Sequence, residues 1–593
     1  MVCTLKNITL TLLKISKKQL DMFSKRILVI AVVLVTLFTA CSKSGSLSTK
    51  YIPSNAAFVA ILDVKNLSGK LEKDGLTIDS LVNVVKQHGS QEDYTKALGY
   101  LTKFKNAGLD FDAKVYGASI NENPMNSTGS FEFIVVLKDE KKFEEFIKGL
   151  EDKPEIKKGE NFSYIEQGEF ALGWNKEVAI LSIQPQSYSY DYYNEEEKPK
   201  TAKTNELSKY FSLKKEASIE SNKQFSEAES AKGDIVVYSS SDSFVANTKE
   251  IAAMKGVKEL LTGIYSVSTI NFENGKVVAE SNTFLGKKLG SLLGKYGSTK
   301  IDKSLIENFP GSNVQGFFAT GFNPELIPAL LQEAELLSMA NVFLTQQGLS
   351  VEDITKAFKG DITLVSGDIK FNQVEKTSPY TGELRKSIEP DFNFVFAVRI
   401  GDRTAFNKLI DMGAATGMYK RNGDNFELSN AGEEGFAGKI AVGIKDDLFI
   451  IAKDKATFDQ YAAKSGKATV TADAKKALDG SVVSYFVDAQ SIMNGYSESY
   501  FDSTEATEKS IFIASKDVFR SLWFNSEKFS GGKIQSKGEL TLKEGKNSLS
   551  VLIGYAKYVA EQFKAKQDAY RVEDVYIEEA YPVDSIAPAT IAE

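Results

Sequence analysis

The chain has 593 residues, of which 72 are basic and 79 acidic, for a net charge of -7; it holds two cysteines and one histidine. That balance disfavours a nucleic-acid partner, whose binding rests on neutralising phosphates with an excess of Lys and Arg. Three such residues are too few for a structural zinc site of four Cys and His ligands, and the length allows more than one domain.

In chain order, the first feature is the stretch RILVIAVVLVTLFTACSKSGS from Arg26. Its apolar run, Ile27 to Ala40, is 14 residues long, short of the roughly 20 that cross a bilayer as a helix. It follows Lys25 and Arg26 and ends in small residues, the order of a secretory signal. A signal beginning at Met22 and ending at Ala40 has 19 residues, a normal length, whereas one beginning at Met1 carries a long preamble. Residues 1–40 are therefore read as signal, with Met22 as the true start.

The segment Leu37-Phe38-Thr39-Ala40-Cys41 resembles the lipobox of bacterial lipoproteins, with Phe38 standing where leucine is usual. The resemblance implies that the Cys41 sulfur is diacylated and the new amino terminus acylated, as with palmitate. More than one chain on one residue satisfies the two-signal requirement for stable anchoring. Residues 41–50 then form a lipidated tether, no disulfide is available, and the remaining 553 residues carry 66 basic against 78 acidic groups.

Beyond the tether the chain repeats itself. YIPSNAAFVAILDVKNLSGKL from Tyr51 has the grammar of NFPGSNVQGFFATGFNPELIPAL from Asn308. SFEFIVVLKDEKKFEEFIKGL from Ser130 pairs with DFNFVFAVRIGDRTAFNKLIDMG from Asp391, each an apolar strand, a polar break and a helix. Phe143, Phe146, Ile147 and Leu150 form an apolar helix stripe, repeated by Phe406, Leu409 and Ile410. NFSYIEQGEFALGWNKEVAILSI from Asn161 answers NFELSNAGEEGFAGKIAVGIKDDLFIIA from Asn425, with tight turns at Asn175-Lys176 and Lys445-Asp446.

GDIVVYSSSDSFV from Gly233 then matches GSVVSYFVDAQSIM from Gly480. The last pair begins at Gly263 and Ser521 and reads as a β-meander turning at Asn274-Gly275, Gly531-Gly532 and Glu544-Gly545. Five blocks in one order predict two tandem related domains, 51–299 and 300–566, of α+β class, with antiparallel sheets and helices packed on one face.

Residues 567–593 read as an acidic tail, with seven acids from Asp568 onward against Arg571 alone. Pro185 to Gly233, shorter near Ala456 to Gly480, reads as an insertion whose Tyr188, Tyr190, Tyr192 and Tyr193 precede three glutamates. The cluster suits a mobile loop, or a contact surface of low entropy cost.

No catalytic, cofactor or metal residues are assigned. His88 lacks a flanking catalytic signature and suits a helix end. Asp110 and Asp112 lack the rest of a calcium loop. Gly286, Gly290 and Gly294 before Lys295 miss the phosphate-loop spacing and instead mark a close-packed helix face. Asp63 and Asp242 follow strands where helix caps belong.

The lipobox, the YIPSNAAFVAILDVKNL opening, the duplicated strand-helix pairs and the length resemble an uncharacterised family of large cell-envelope lipoproteins of Bacteroidetes, known only as a domain of unknown function. The resemblance implies a cell-envelope lipoprotein and supplies no site beyond Cys41. Surface-displayed lipoproteins of that group often carry acids just after the cysteine; none stands between Cys41 and Asp63, so the expected position is periplasm-facing, and Ser42 beside the cysteine agrees with outer-membrane sorting. The expected function is a non-enzymatic binding or assembly component offering a surface or inter-domain groove to an envelope protein or glycan. The rival is a carboxylate-dependent polysaccharide hydrolase, which needs two acids facing one cleft.

Overall fold

The computed structural model describes residues 47–76, 99, 102–120, 130–150, 153–167, 170–183, 203–377, 382, 384–415, 417, 419–428, 440–501 and 505–580, without the side chains of 120, 203–206, 385, 428 and 567–580. Cys41, His88 and the tyrosines from Tyr188 to Tyr193 lie outside the described residues.

The first half runs β1 (Phe58–Leu62), α1 (Val64–Lys73), β2 (Val115–Ile120), β3 (Ser130–Val136), α2 (Glu140–Lys148), β4 (Lys157–Lys158), β5 (Ser163–Gln167), β6 (Phe170–Trp174) and β7 (Val178–Ile183). It continues through α3 (Lys203–Phe211), α4 (Phe225–Ser230), β8 (Ile235–Ser240), α5 (Ser241–Asn247), α6 (Lys249–Ala253), α7 (Lys255–Leu261), β9 (Tyr265–Glu273) and β10 (Lys276–Phe284). Helix α8 (Lys287–Lys295) leads into the second half.

That half runs α9 (Ser304–Glu307), β11 (Val314–Gly321), α10 (Leu326–Glu333), α11 (Leu337–Thr345), α12 (Val351–Ala357), β12 (Phe358–Thr377), β13 (Leu384–Ile400) and α13 (Arg403–Ala415). Next come β14 (Tyr419–Asn422), β15 (Asn425–Leu428), β16 (Ala441–Lys445), β17 (Leu448–Ala452), α14 (Lys455–Ala462), α15 (Ala472–Leu478), β18 (Ser481–Val487), α16 (Ala489–Asn494), α17 (Ala506–Val518), β19 (Phe519–Glu527), β20 (Lys533–Leu542) and α18 (Ser548–Ala580).

Short polar side chains start many of these helices by satisfying free N–H groups. Asp63, Asp139, Asp454 and Asp488 accept from the backbone N–H three residues on, at 2.9, 3.1, 2.8 and 2.9 Å. Ser350 and Asp353 form a reciprocal box at the start of α12. Asp63 is thus a cap, as its position predicts, whereas Asp242 accepts from Gly263 N–H at 2.7 Å and Ser240 caps α5.

Among the described residues the strands pair antiparallel throughout, and these pairings join twenty strands into one sheet. In space the first half reads 4-5-6-7-3-2-1-8-9-10. The second reads 14-15-16-17-13-12-11-18-19-20. The two orders are the same, and the halves meet where β10 pairs with β20. Lys276 faces Thr541 and Phe284 faces Lys533, which centres the ladder on the pair Glu280 and Lys537. Rotation by half a turn about that point exchanges the halves.

The α+β class and the antiparallel pairing agree with the sequence, but the sheets of the two halves are continuous. Helices also cover both faces rather than one. On one face α3 and α4 pack over Val59, Ile134, Ile180 and Tyr238, and α14 and α15 pack over Phe317, Val395, Ile450, Phe486 and Trp523. On the other face α2 contributes Phe143 and Ile147 to a core around Trp174, and α13 contributes Phe406 to one around Phe426 and Ile444. These second cores lie mainly over the outer strands, the first reaching inward to Val115 at the end of β2.

A further difference follows β20. The expected turn at Glu544-Gly545 leads into helix α18 instead of a third meander strand. Helix α18 packs on α17 and α1, and burial of that face decides an apolar run that is ambiguous in isolation. Its backbone continues through Lys566, where the acidic tail was expected to begin. Under the half-turn, α17, α18 and α1 correspond to α7, α8 and α10, which also contact in series.

Candidate functional site

Strands alternate their side chains between faces, so the register shows which residues share a surface. Leu364, Phe318, Tyr485 and Phe524 stand opposite one another on β12, β11, β18 and β19, on the face away from α14 and α15. The row continues outward to Phe396 and Ile451 and inward across the junction to Gly538, Ala279, Ile270 and Ile235. It carries no charge over ten strands.

Phe318, Leu364 and Phe524 are 42%, 43% and 40% exposed, and Leu522 beside them is 42% exposed. Between the two outer cores the sheet thus presents an open, aromatic floor spanning part of the second half and the junction. The sequence marks it with the doublets Phe317-Phe318, Tyr485-Phe486 and Trp523-Phe524. In each, one ring belongs to the buried core and its neighbour to the floor or its edge. Such doublets indicate a strand apolar on both faces, a signal that block matching alone overlooks.

The reverse side of the junction is polar. Lys537 Nζ donates to Glu280 at 2.6 Å, Gln535 to Asn282 at 3.3 Å, and Lys276 to the buried Glu539 at 3.1 Å. The acids there are matched by lysines.

A second cluster surrounds Arg399 on β13, whose guanidinium pairs with Asp302, with Asp361 at 3.3 Å and with Asp447 at 2.8 Å. Burial raises the Asp361 carboxyl above the ordinary range despite Arg399. Burial also acts on Asp302, but hydrogen bonds from the Ser304 hydroxyl and N–H, together with Arg399, outweigh it and lower that carboxyl. Opposite displacement of two carboxyls is how acid and base pairs arise. Here the adjoining cavity is 40 Å³ and is lined by Arg399, Asp447 and Tyr461 but neither Asp302 nor Asp361. It has room for water, not for a sugar ring.

The other sequence candidates are spread apart. Asp110 and Asp112 both bind Lys138, at 3.0 and 2.9 Å. Gly290 and Gly294 face Phe529, whose ring lies 3.4 and 3.9 Å from where their Cβ atoms would stand, so their role is packing. No helix among the described residues is long and apolar enough to cross a membrane, which says nothing of strands.

Residues 48–549 match the family model "Domain of unknown function (DUF4836)". The chain belongs to the DUF4836 family. The DUF4836 match starts at Ser48, in the buried turn before β1, and ends just inside α18, so it takes in both halves of the sheet. No curated protein matches the chain. Among solved structures it is similar to TP0453 in crystal form III, at 11% identity over 44% of this chain and 91% of that one, with a TM-score of 0.23. Crystal form I of TP0453 gives 10% identity over 42% and 81%, with a TM-score of 0.22.

Proposed function

We propose that this DUF4836 protein is a non-enzymatic binding component of the cell envelope, anchored to the outer membrane through acylated Cys41 and facing the periplasm. Its binding surface is the uncharged aromatic floor, and that floor is the observation that carries the reading. Phe318, Tyr485 and Phe524 offer flat, rigid faces to an apolar protein surface or to a sugar ring, at little cost in side-chain entropy.

A photo-activated cross-linker at Phe318 and another at Gln535, on the polar side, test this in cells. The expected result is a discrete adduct from Phe318 only, lost when Cys41→Ser releases the protein from the membrane fraction. The same pattern from both positions would refute the floor as the site. The hydrolase alternative rests on Asp302 and Asp361; Asp361→Asn abolishing polysaccharide cleavage by the purified protein would favour it.

A further inference from the structure

Helix α11, between β11 and β12, turns its most apolar side outward. Met339 is 64% exposed and Val342 and Phe343 are 65% exposed, at i, i+3 and i+4 on one face. No residue from 336 to 351 carries a charge; Glu335 and Glu352 bound the stretch. The exposed side chains beside these three are Ser338, Thr345, Gln346 and Gln347, neutral hydrogen-bonding groups, with the exposed Glu335 at the edge of the face. Helix α11 thus presents an exposed apolar face, and exposed apolar patches mark interaction sites.

We infer that the outward face of α11 inserts into the interfacial zone of the lipid bilayer that holds the protein. This rests on the anchor proposed above. The face is too small for an independent protein interface, because a nine-residue helix is about 13 Å long. A standard interface needs about 800 Å² from each partner. A bilayer makes no such demand when the protein is already tethered. Cys41 stands six residues before Leu47, where the described body begins. That leash spans at most about 20 Å, which keeps the body at high local concentration over the membrane, so a weak contact is amplified. The neutral side chains around the apolar three suit a zwitterionic lipid surface and avoid the cost of bringing charge into it.

The test uses the acylated mature chain in phosphatidylcholine vesicles that carry a lipid-borne quencher. An environment-sensitive dye is placed on Phe343→Cys and, as a control, on Lys467→Cys; acylated Cys41 does not react. Loss of most of the fluorescence from position 343, with position 467 unaffected, is expected. Equal quenching at both positions, or none at 343, overturns the inference. A triple variant, Met339→Ser with Val342→Ser and Phe343→Ser, replaces only exposed groups. In the acylated chain, with the dye placed on Gln346→Cys, it is expected to lose the quenching that its parent shows at that position. Sedimentation showing a dimer that this triple variant dissolves would assign the face to a second copy and overturn the bilayer. The mass of the amino-terminal peptide reports acylation separately, so failure of the anchor is not confused with failure of the contact.

Discussion

Related positions in the two halves carry different side chains on one backbone plan. In the first half the row beside the junction reads Ser281, Ser268, Val237, Ala60 and Gly117; the half-turn brings these onto Gly538, Phe524, Tyr485, Phe318 and Leu364. Small residues thus answer large ones. At Gly117 a Cβ would stand 3.3 Å from the Phe131 ring, so the first half uses that space for its own aromatics, with Phe131 in turn near Phe58 and Phe133. The second half leaves its rings exposed. The two halves share one scaffold and differ in side chains where packing does not hold them fixed.

The largest predicted effect probes the buried partner of an exposed ring. Phe486→Ala is expected to destabilise by about 4 kcal/mol, since its fully buried ring leaves a cavity in the core; denaturant titration measures this. Next, Val278→Pro in β10 removes a ladder donor at the strand joining the halves and is expected to cost about 3 kcal/mol. Calorimetry should show one transition becoming two; a single transition at lower temperature would mean that the helices linking the halves suffice.

Arg399→Met exists to perturb only the second half. About 2 kcal/mol is expected, below the ~3–5 kcal/mol of a fully buried pair because Asp302 and Asp447 reach solvent. Phe524→Ala should cost less than about 1 kcal/mol while abolishing the adduct formed from the cross-linker at position 318. A larger loss of stability would make the floor a packing surface and erase the contrast with Phe486.

The mildest perturbation needs no substitution. Burial, opposed by a hydrogen bond from Asn175 and aided by Glu177, pushes the Tyr51 hydroxyl up to about 12, and burial also raises Tyr238 in the first half and Tyr461 in the second. A raised folded-state value means that the folded chain holds its proton more tightly than the unfolded chain, whose tyrosines titrate near 10. The associated stability is complete below about pH 10 and is lost as pH rises through about 12. Tyrosinate absorbance and near-UV dichroism followed together should show whether both halves yield at once.

Local features of this fold were legible in the sequence where local chemistry decides them. The Asn274-Gly275 turn, with Gly275 at φ +73°, the Asp63 cap and the helix stripe of Phe143 and Ile147 all follow from short-range rules. The order of five repeated blocks follows from them in turn. The β10 to β20 junction was not legible, because it pairs segments about 260 residues apart and nothing local distinguishes an edge that will be covered from one left open. For the same reason the floor residues were not singled out: their shared row exists only once the register is fixed. Helix α18 was missed because SLSVLIG fits a strand as well as a helix until α17 and α1 are present.

The outermost strands govern how far such a sheet can extend. Its halves are joined by the same edge-to-edge pairing that, repeated between molecules, would build a fibre. At one end β4 has two residues, Lys157 and Lys158; at the other β14 has four, with Lys420 and Arg421 in its centre. Such short rims are poor templates for a further strand, because an incoming copy gains few backbone bonds, and their cations are held by acids of the same molecule, Lys157 by Glu166 and Arg421 by Asp411. Edge-to-edge growth between copies is therefore disfavoured at both rims.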